Sequence, residues 1–249
     1  MVVQMAKENR SWGYDRLAGA LAHLGYDISA QTVGNILKRR GLPTAPERQK
    51  TTTWRAFIRT HMDVLWATDF FTTEVWTMSG LVTYYVLFVM RLETRWVHIA
   101  GVTPHPNTQW LVQIARNLTM EEWGILPLGQ YLMHDRDTKF CAAFKQMLDD
   151  AGVKRVPLPP RSPQLNAFAE RWVRSVKEEA LSRIMLFGER ALRHVLNEYI
   201  AHYHEERPHQ GKGNTMLFPS VQAEGSAEAP IGCQERLGGL LKYYHRKAA

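Results

Sequence analysis

The chain has little cysteine: two residues in 249, Cys141 and Cys233, far apart and in dissimilar contexts. That scarcity excludes a disulfide framework and a cysteine-based zinc ligand set, and it predicts two reduced thiols in a cytosolic protein. Long hydrophobic runs are missing too. The run 81–90 is short and tyrosine-rich, well below the roughly 20 residues a membrane-spanning helix needs. The N-terminus carries no signal-peptide pattern, so the expected location is the cytoplasm, with no membrane partner. No internal repeat or low-complexity tract is present, which excludes a repeat architecture.

What is present is a foldable chain, 45% hydrophobic, with a net charge of +7 that is unevenly placed. Residues 1–60 hold ten Lys/Arg against four Asp/Glu, and the remainder 21 against 20. A compact basic segment ahead of a near-neutral body suggests a polyanion-binding module attached to a second unit. Residues 2–42 read as three short helices, roughly 2–9, 14–24 and 30–40, broken at Ser11-Trp-Gly13 and Gly25-Tyr-Asp27, with Ser29 as N-cap of the third. Leu17, Leu21 and Leu24 facing Val33, Ile36 and Leu37 give the spacing of a small packed unit, a helix-turn-helix over 1–42. Its third helix sets Gln31, Thr32 and Asn35 where base edges would be read, and Lys38, Arg39 and Arg40 where phosphates would be met. A plain helical cap with basic residues complementing the helix dipole is the structural alternative.

Residues 43–60, aperiodic and holding two prolines, read as a linker. Strand-like runs follow at 64–76, 81–90 and 94–102, then a helix at 108–122, a strand at 130–134, a helix at 142–151, a strand at 153–156, and a helix from about Pro163 with Ser162 as its cap. The order βββαβαβα implies an α/β fold, a mixed sheet with helices on its faces. This body spans 61–222, and 223–249 is left as a basic, aromatic tail, either a docking strand or a frayed end.

Three carboxylates stand out. Asp69 lies inside Val64-Leu-Trp-Ala-Thr-Asp-Phe-Phe71, apolar on both faces and therefore a central strand, where an ionised group is costly unless a cation or hydrogen bonds offset its lost hydration. Asp135 directly follows a short strand, at the carboxyl end where α/β sheets bind ligands. Asp137 is an alternative, although Asp137-Thr-Lys also suits a turn or cap. On the last helix, at about 100° per residue, Asn166, Glu170, Arg174 and Lys177 fall within roughly 40° of one line, while Leu165, Phe168, Ala169, Trp172, Val173 and Val176 form the other face. In isolation that stripe is also what i,i+4 pairing on an amphipathic helix looks like. Converging carboxylates without His or Cys partners suit two hard divalent cations, Mg²⁺ before zinc, at the roughly 3.5–4 Å separation used for phosphoryl transfer.

These motifs together resemble the integrase-core transposases of bacterial insertion sequences, relatives of retroviral integrases with a ribonuclease H-like fold. The resemblance runs from Trp12-Gly-Tyr through Arg40-Gly-Leu-Pro43, Trp66-Ala-Thr-Asp-Phe, His134-Asp-Arg-Asp-Thr-Lys-Phe and Ser162-Pro-Gln-Leu-Asn-Ala-Phe-Ala-Glu-Arg to Tyr203-His-Glu-Glu-Arg-Pro-His-Gln210. It implies a ribonuclease H-like mixed five-stranded sheet preceded by a small all-α unit. It also implies an acidic triad of Asp69, Asp135 and Glu170, with 34 residues between the last two, holding two Mg²⁺ or Mn²⁺ ions. Lys177 and Arg174 become contacts to double-stranded DNA. The implied activity is cleavage at element ends and strand transfer by an oligomer on DNA. A start at Met1 fits a truncated copy or a downstream reading frame with an upstream partner. The alternatives are a catalytically idle copy regulating through its DNA-binding unit, and a nuclease that cuts without joining. The zinc module of retroviral integrases has no counterpart here.

Overall fold

The computed structural model describes residues 1–42, 54–158, 166–219 and 229–247, with the backbone alone at 54–56. The chain divides into two compact units, Met1–Thr60 and His61–Ala249. In the first, α1 (Val2–Glu8), α2 (Tyr14–His23) and α3 (Ala30–Arg39) enclose Ala6, Leu17, Leu21, Val33 and Leu37. Ser29 caps α3 as expected, its hydroxyl accepting from the Thr32 amide at 3.2 Å. Ser29→Ala is expected to lower the stability of this unit by about 1 kcal/mol, read as an earlier helical melt; an unchanged melt would remove the cap from the argument. Leu24, expected in this core, is 58% exposed, because α2 ends at His23 and the chain turns through Gly25 at a φ of +83°. The end of the stretch 43–60, read as linker, forms a helix, α4 (Trp54–Thr60). Past Thr53 no Pro or Gly interrupts Trp-Arg-Ala-Phe-Ile-Arg.

The second unit is built on a five-stranded sheet of order β3-β2-β1-β4-β5. Strands β1 (Leu65–Thr77), β2 (Gly80–Arg91) and β3 (Val97–Thr103) form an antiparallel meander. Strands β4 (Tyr131–His134) and β5 (Lys154–Pro157) then add in parallel beside β1. Gly80, at a φ of +102°, lets the β1–β2 turn close, and the Thr77 hydroxyl donates to its carbonyl at 2.8 Å. Helices α5 (Thr108–Thr119) and α6 (Ala142–Asp150) cover one face, burying Leu111, Ile114, Phe140 and Phe144 against Trp66, Leu87 and Val89. Gly101 admits α5 this closely: a Cβ there would come within 2.5 Å of the Trp110 ring. Helix α7 (Ala167–Glu179) packs on β1, and α8 (Gly188–Ala201) on β1 and β3. Trp172 of α7 seats on Phe88 and Phe71 at ring separations of 4.4 and 5.8 Å. The expected start of α7 near Pro163, with its Ser162 cap, lies outside the described residues.

This is the ribonuclease H-like arrangement expected, a mixed five-stranded sheet flanked by helices, with helices ahead of it. The C-terminal tail is a hairpin of β6 (Ile231–Arg236) and β7 (Leu241–Arg246). Its Arg236 is ion-paired to Glu198 at 3.1 Å and to the buried Glu206 at 2.7 Å. Cys141 and Cys233 are free thiols. Among the described residues no helix is long and apolar enough to cross a membrane.

Candidate active site

The sheet's register brings the first two acids together. Ala67 of β1 pairs with Met133 of β4 in parallel, so continuing that register two residues sets Asp135 level with Asp69. Adjacent strands stand about 4.8 Å apart. Helix α7 supplies the third acid: Trp172, wedged on Phe71 and Phe88, fixes the helix over β1 and sets Glu170, exposed, in its first turn. Asn166, at the N-cap, donates from Nδ2 to Asp69 Oδ2 at 3.3 Å. The other Asp69 oxygen accepts from the Phe70 amide at 2.8 Å.

Asp69 carries the electrostatic signature of the site. Burial pushes its carboxyl up, against the Phe70 amide, and with the negative charges of Asp135, Glu170 and Asp137 brings it to about 7 from 3.8. Three acids thus act on a fourth, partly buried one, and a cation would relieve that repulsion. The side-chain oxygen of Asn166 is buried and, among the described residues, has no hydrogen-bond partner. Carboxylate oxygens beside an unpaired amide oxygen form a hard-oxygen donor set, the chemistry that suits Mg²⁺ or Mn²⁺. Among the described residues, no three His, Cys, Asp or Glu side chains stand close enough to hold one ion together.

Asp135 and Asp137 differ in what they have free. Asp137 is consumed by its turn: it accepts from the Lys139 amide at 2.8 Å and pairs with the Lys139 ammonium at 2.7 Å, and these bonds hold its carboxyl below the usual range although burial opposes them. Asp135 spends one oxygen on the Asp137 amide at 3.0 Å. His134 donates from Nδ1 to the Asp135 carbonyl at 2.6 Å, bracing the strand end. Burial pushes this imidazole below its ordinary value, which favours its neutral form. Neither Asn166 nor His134 was singled out as a site residue from sequence, although Asn166 was seen to share the Glu170 face.

The basic candidates fall in two places. Lys177 lies two turns beyond Glu170, with its ammonium 5.8 Å from the Phe71 ring, and Arg174 is exposed on the same face. In the first unit, Gln31, Thr32, Asn35, Lys38, Arg39 and Arg40 are all exposed along α3. Thr32 differs from the rest in sharing a 3.0 Å hydroxyl–hydroxyl hydrogen bond with Ser29.

Residues 151–216 match the family model described as "Integrase core domain". That stretch holds β5, α7 and α8, and with them Glu170, Arg174 and Lys177. Among solved structures, the catalytic core domain of BIV integrase aligns over 60% of this chain and 88% of its own, at 18% identity and a TM-score of 0.41. A simian T-cell lymphotropic virus intasome, solved in complex with PP2A regulatory subunit B56 gamma, aligns over 74% of this chain and 66% of its own, at 10% identity and a TM-score of 0.45. No curated protein matches the chain.

Proposed function

We propose that the chain is a DNA strand transferase of the integrase-core transposase type: it binds the ends of its element, exposes 3′-hydroxyls by hydrolysis and joins them to target DNA. The observation that carries the reading is Asp69 on a central strand, beside the β4 end that leads to Asp135 and hydrogen-bonded to Asn166 at the start of the helix that carries Glu170; burial and neighbouring acids raising its carboxyl to about 7 support it. The match of residues 151–216 to the integrase core supports it.

In this reading Asp69, Asp135 and Glu170 hold two Mg²⁺ or Mn²⁺ ions, with Asn166 orienting Asp69 and His134 bracing the strand end that carries Asp135. The bound ions would activate the attacking oxygen and stabilise the leaving one in an in-line displacement. The chain's own residues position the DNA. Arg174 and Lys177, one and two turns along α7 from Glu170, meet phosphates of the element end, and α3 reads its bases through Gln31 and Asn35. The protein acts as an oligomer because two ends must be held together, and an upstream reading-frame partner is compatible with it.

The test is incubation of the purified chain with labelled DNA carrying the element ends and Mg²⁺, scoring cleaved and joined products. Joined products that vanish in Glu170→Ala establish the reading; cutting without joining points to a nuclease. The exposed basic stripe on α3 favours one second reading, a catalytically idle DNA-binding regulator, which predicts end binding with no chemistry. Lys177→Gln tests the phosphate contact separately. The slope of log K against log salt for end DNA is expected to become shallower by about 0.9; an unchanged slope removes Lys177 from the interface.

A further inference from the structure

Around α7, at about 100° per residue, Phe168, Arg171 and Ser175 lie roughly 100–160° from Glu170. They line a cavity of about 630 Å³ that none of the acidic residues enters. Its other walls come from the turn before β3, which carries Arg95, and from the segment after the π-helical turn His202–Glu206, which carries Arg207 and Lys212. Four cations therefore converge on one concave surface without a carboxylate in its lining.

Arg207 alone is neutralised, by a paired interaction with Glu179 at 2.7 and 3.0 Å. Among the described residues, Arg95, Arg171 and Lys212 have no carboxylate partner. Arg95 donates to the Leu92 carbonyl and lies over the Phe168 ring at 3.3 Å. Lys212 donates to the Glu93 carbonyl at 2.6 Å. The Arg171 guanidinium reaches toward the loop, 3.9 Å from where a Cβ on Gly211 would stand. Arg95 also holds a φ of +65°, a conformation that costs a non-glycine residue free energy and that clusters where a site needs it. Burial and the like charge of Arg171 push its guanidinium down to about 10, with the Tyr203 hydroxyl opposing. Like charges lining one cavity repel one another, and an anion between them relieves that repulsion.

We propose that this cavity binds DNA backbone phosphates, through Arg171 and Lys212 with Arg95 behind them, as a second DNA contact on the side of α7 away from the acidic residues. Two guanidinium forks match phosphate oxygens in pairs, and the volume is that of a site for a ligand far larger than one free phosphate. The assignment of DNA rests on the strand-transfer reading; the assignment of phosphate does not.

The experiment compares the full chain with Arg171→Gln/Lys212→Gln and with Ser175→Glu, which sets a carboxylate into the cavity. Binding of a duplex lacking element ends is measured across salt, alongside thermal melts with inorganic pyrophosphate. Two lost phosphate contacts are expected to make the salt slope shallower by about 1.8. Pyrophosphate should raise the melting temperature of the wild-type chain and not of either variant, and it should compete with the duplex. Because Arg171 and Lys212 are both exposed and the loss of the Lys212 bond to the Glu93 carbonyl is set against relief of like-charge repulsion, the double variant should melt close to wild type without ligand. An unchanged slope with pyrophosphate protection would overturn the DNA assignment in favour of a free phosphorylated ligand. An unchanged slope without protection would overturn the site. A parallel joining assay separates the two readings: a shallower slope in a chain that joins no ends keeps the pocket and sinks the strand-transfer activity.

Discussion

Replacing Asp69, Asp135 or Glu170 singly with alanine is expected to cut end cleavage and joining by about a thousandfold or more, with end binding retained within a few-fold. A divalent ion bound at a reacting phosphate supplies several kcal/mol of transition-state stabilisation, and about 4 kcal/mol is a thousandfold in rate. Binding energy comes from elsewhere, from the cations of α3 and α7, and removing an acid from a phosphate-binding surface does not weaken it. The three substitutions should also fail to add: a site that has lost one ligand has little left for the second substitution to remove. Asp137→Ala is the internal control. Its carboxylate is bonded to the Lys139 amide and ammonium at 2.8 and 2.7 Å, so its loss should disturb the turn and reduce the rate by far less. The measurement is joined product against time for all four variants beside a binding titration. Asp69→Ala joining at the wild-type rate would sink the assignment, and so would Asp137→Ala matching Asp135→Ala.

Much of this was legible in the chain because the signals are local. The strand-like runs at 64–76, 81–90 and 94–102 predict three strands, and Leu65–Thr77, Gly80–Arg91 and Val97–Thr103 are observed. The helix on 108–122 is Thr108–Thr119 and the one on 142–151 is Ala142–Asp150. Asp69 stood out through a conflict, an acid in an apolar strand, and functional sites are where such conflicts are expected. What was not legible depends on tertiary placement. Helix α8 opens on Phe187 with no side-chain cap and on Gly188 at a φ of +76°, so nothing local marks its start. The unpaired Asn166 oxygen and the His134 bond to the Asp135 carbonyl exist only once strand and helix have met. The cationic cavity draws on three separated stretches, none of which reads as a basic motif. The hairpin at the C-terminus is anchored by Arg236 to the buried Glu206, which also accepts from His202 at 2.9 Å; in sequence Arg236 is one base among many.

The second large effect concerns stability. Asp69→Asn is expected to stabilise the metal-free protein at pH 8 while abolishing its chemistry. Burial and neighbouring acids raise the folded-state value of Asp69 to about 7 from 3.8, so the fold favours the protonated form. That stabilisation is complete below about 3.8 and is lost as pH rises through about 7, leaving a penalty for the ionised group at pH 8. Three units at about 1.4 kcal/mol each set an upper bound near 4 kcal/mol, and partial exposure of the carboxyl lowers the expectation to roughly 2–4 kcal/mol. For a unit of this size that is roughly 5–10 °C in Tm. The amide can keep both local bonds: its oxygen accepts from the Phe70 amide, and a flipped Asn166 offers its unpaired oxygen to the new amide hydrogen. Thermal melts in a chelator should show wild type gaining stability from pH 8 to 5, Asp69→Asn nearly flat over that range, and the two converging toward pH 4. Adding Mg²⁺ at pH 8 should reverse the order, because an ion offsets the carboxylate's lost hydration in wild type and finds one ligand fewer in the variant. A variant less stable than wild type at pH 8 without metal would mean that Asp69 is held by bonds that its charge strengthens. Asp69 would then be a structural residue of β1, and the case for a cation at this site would lose its principal support.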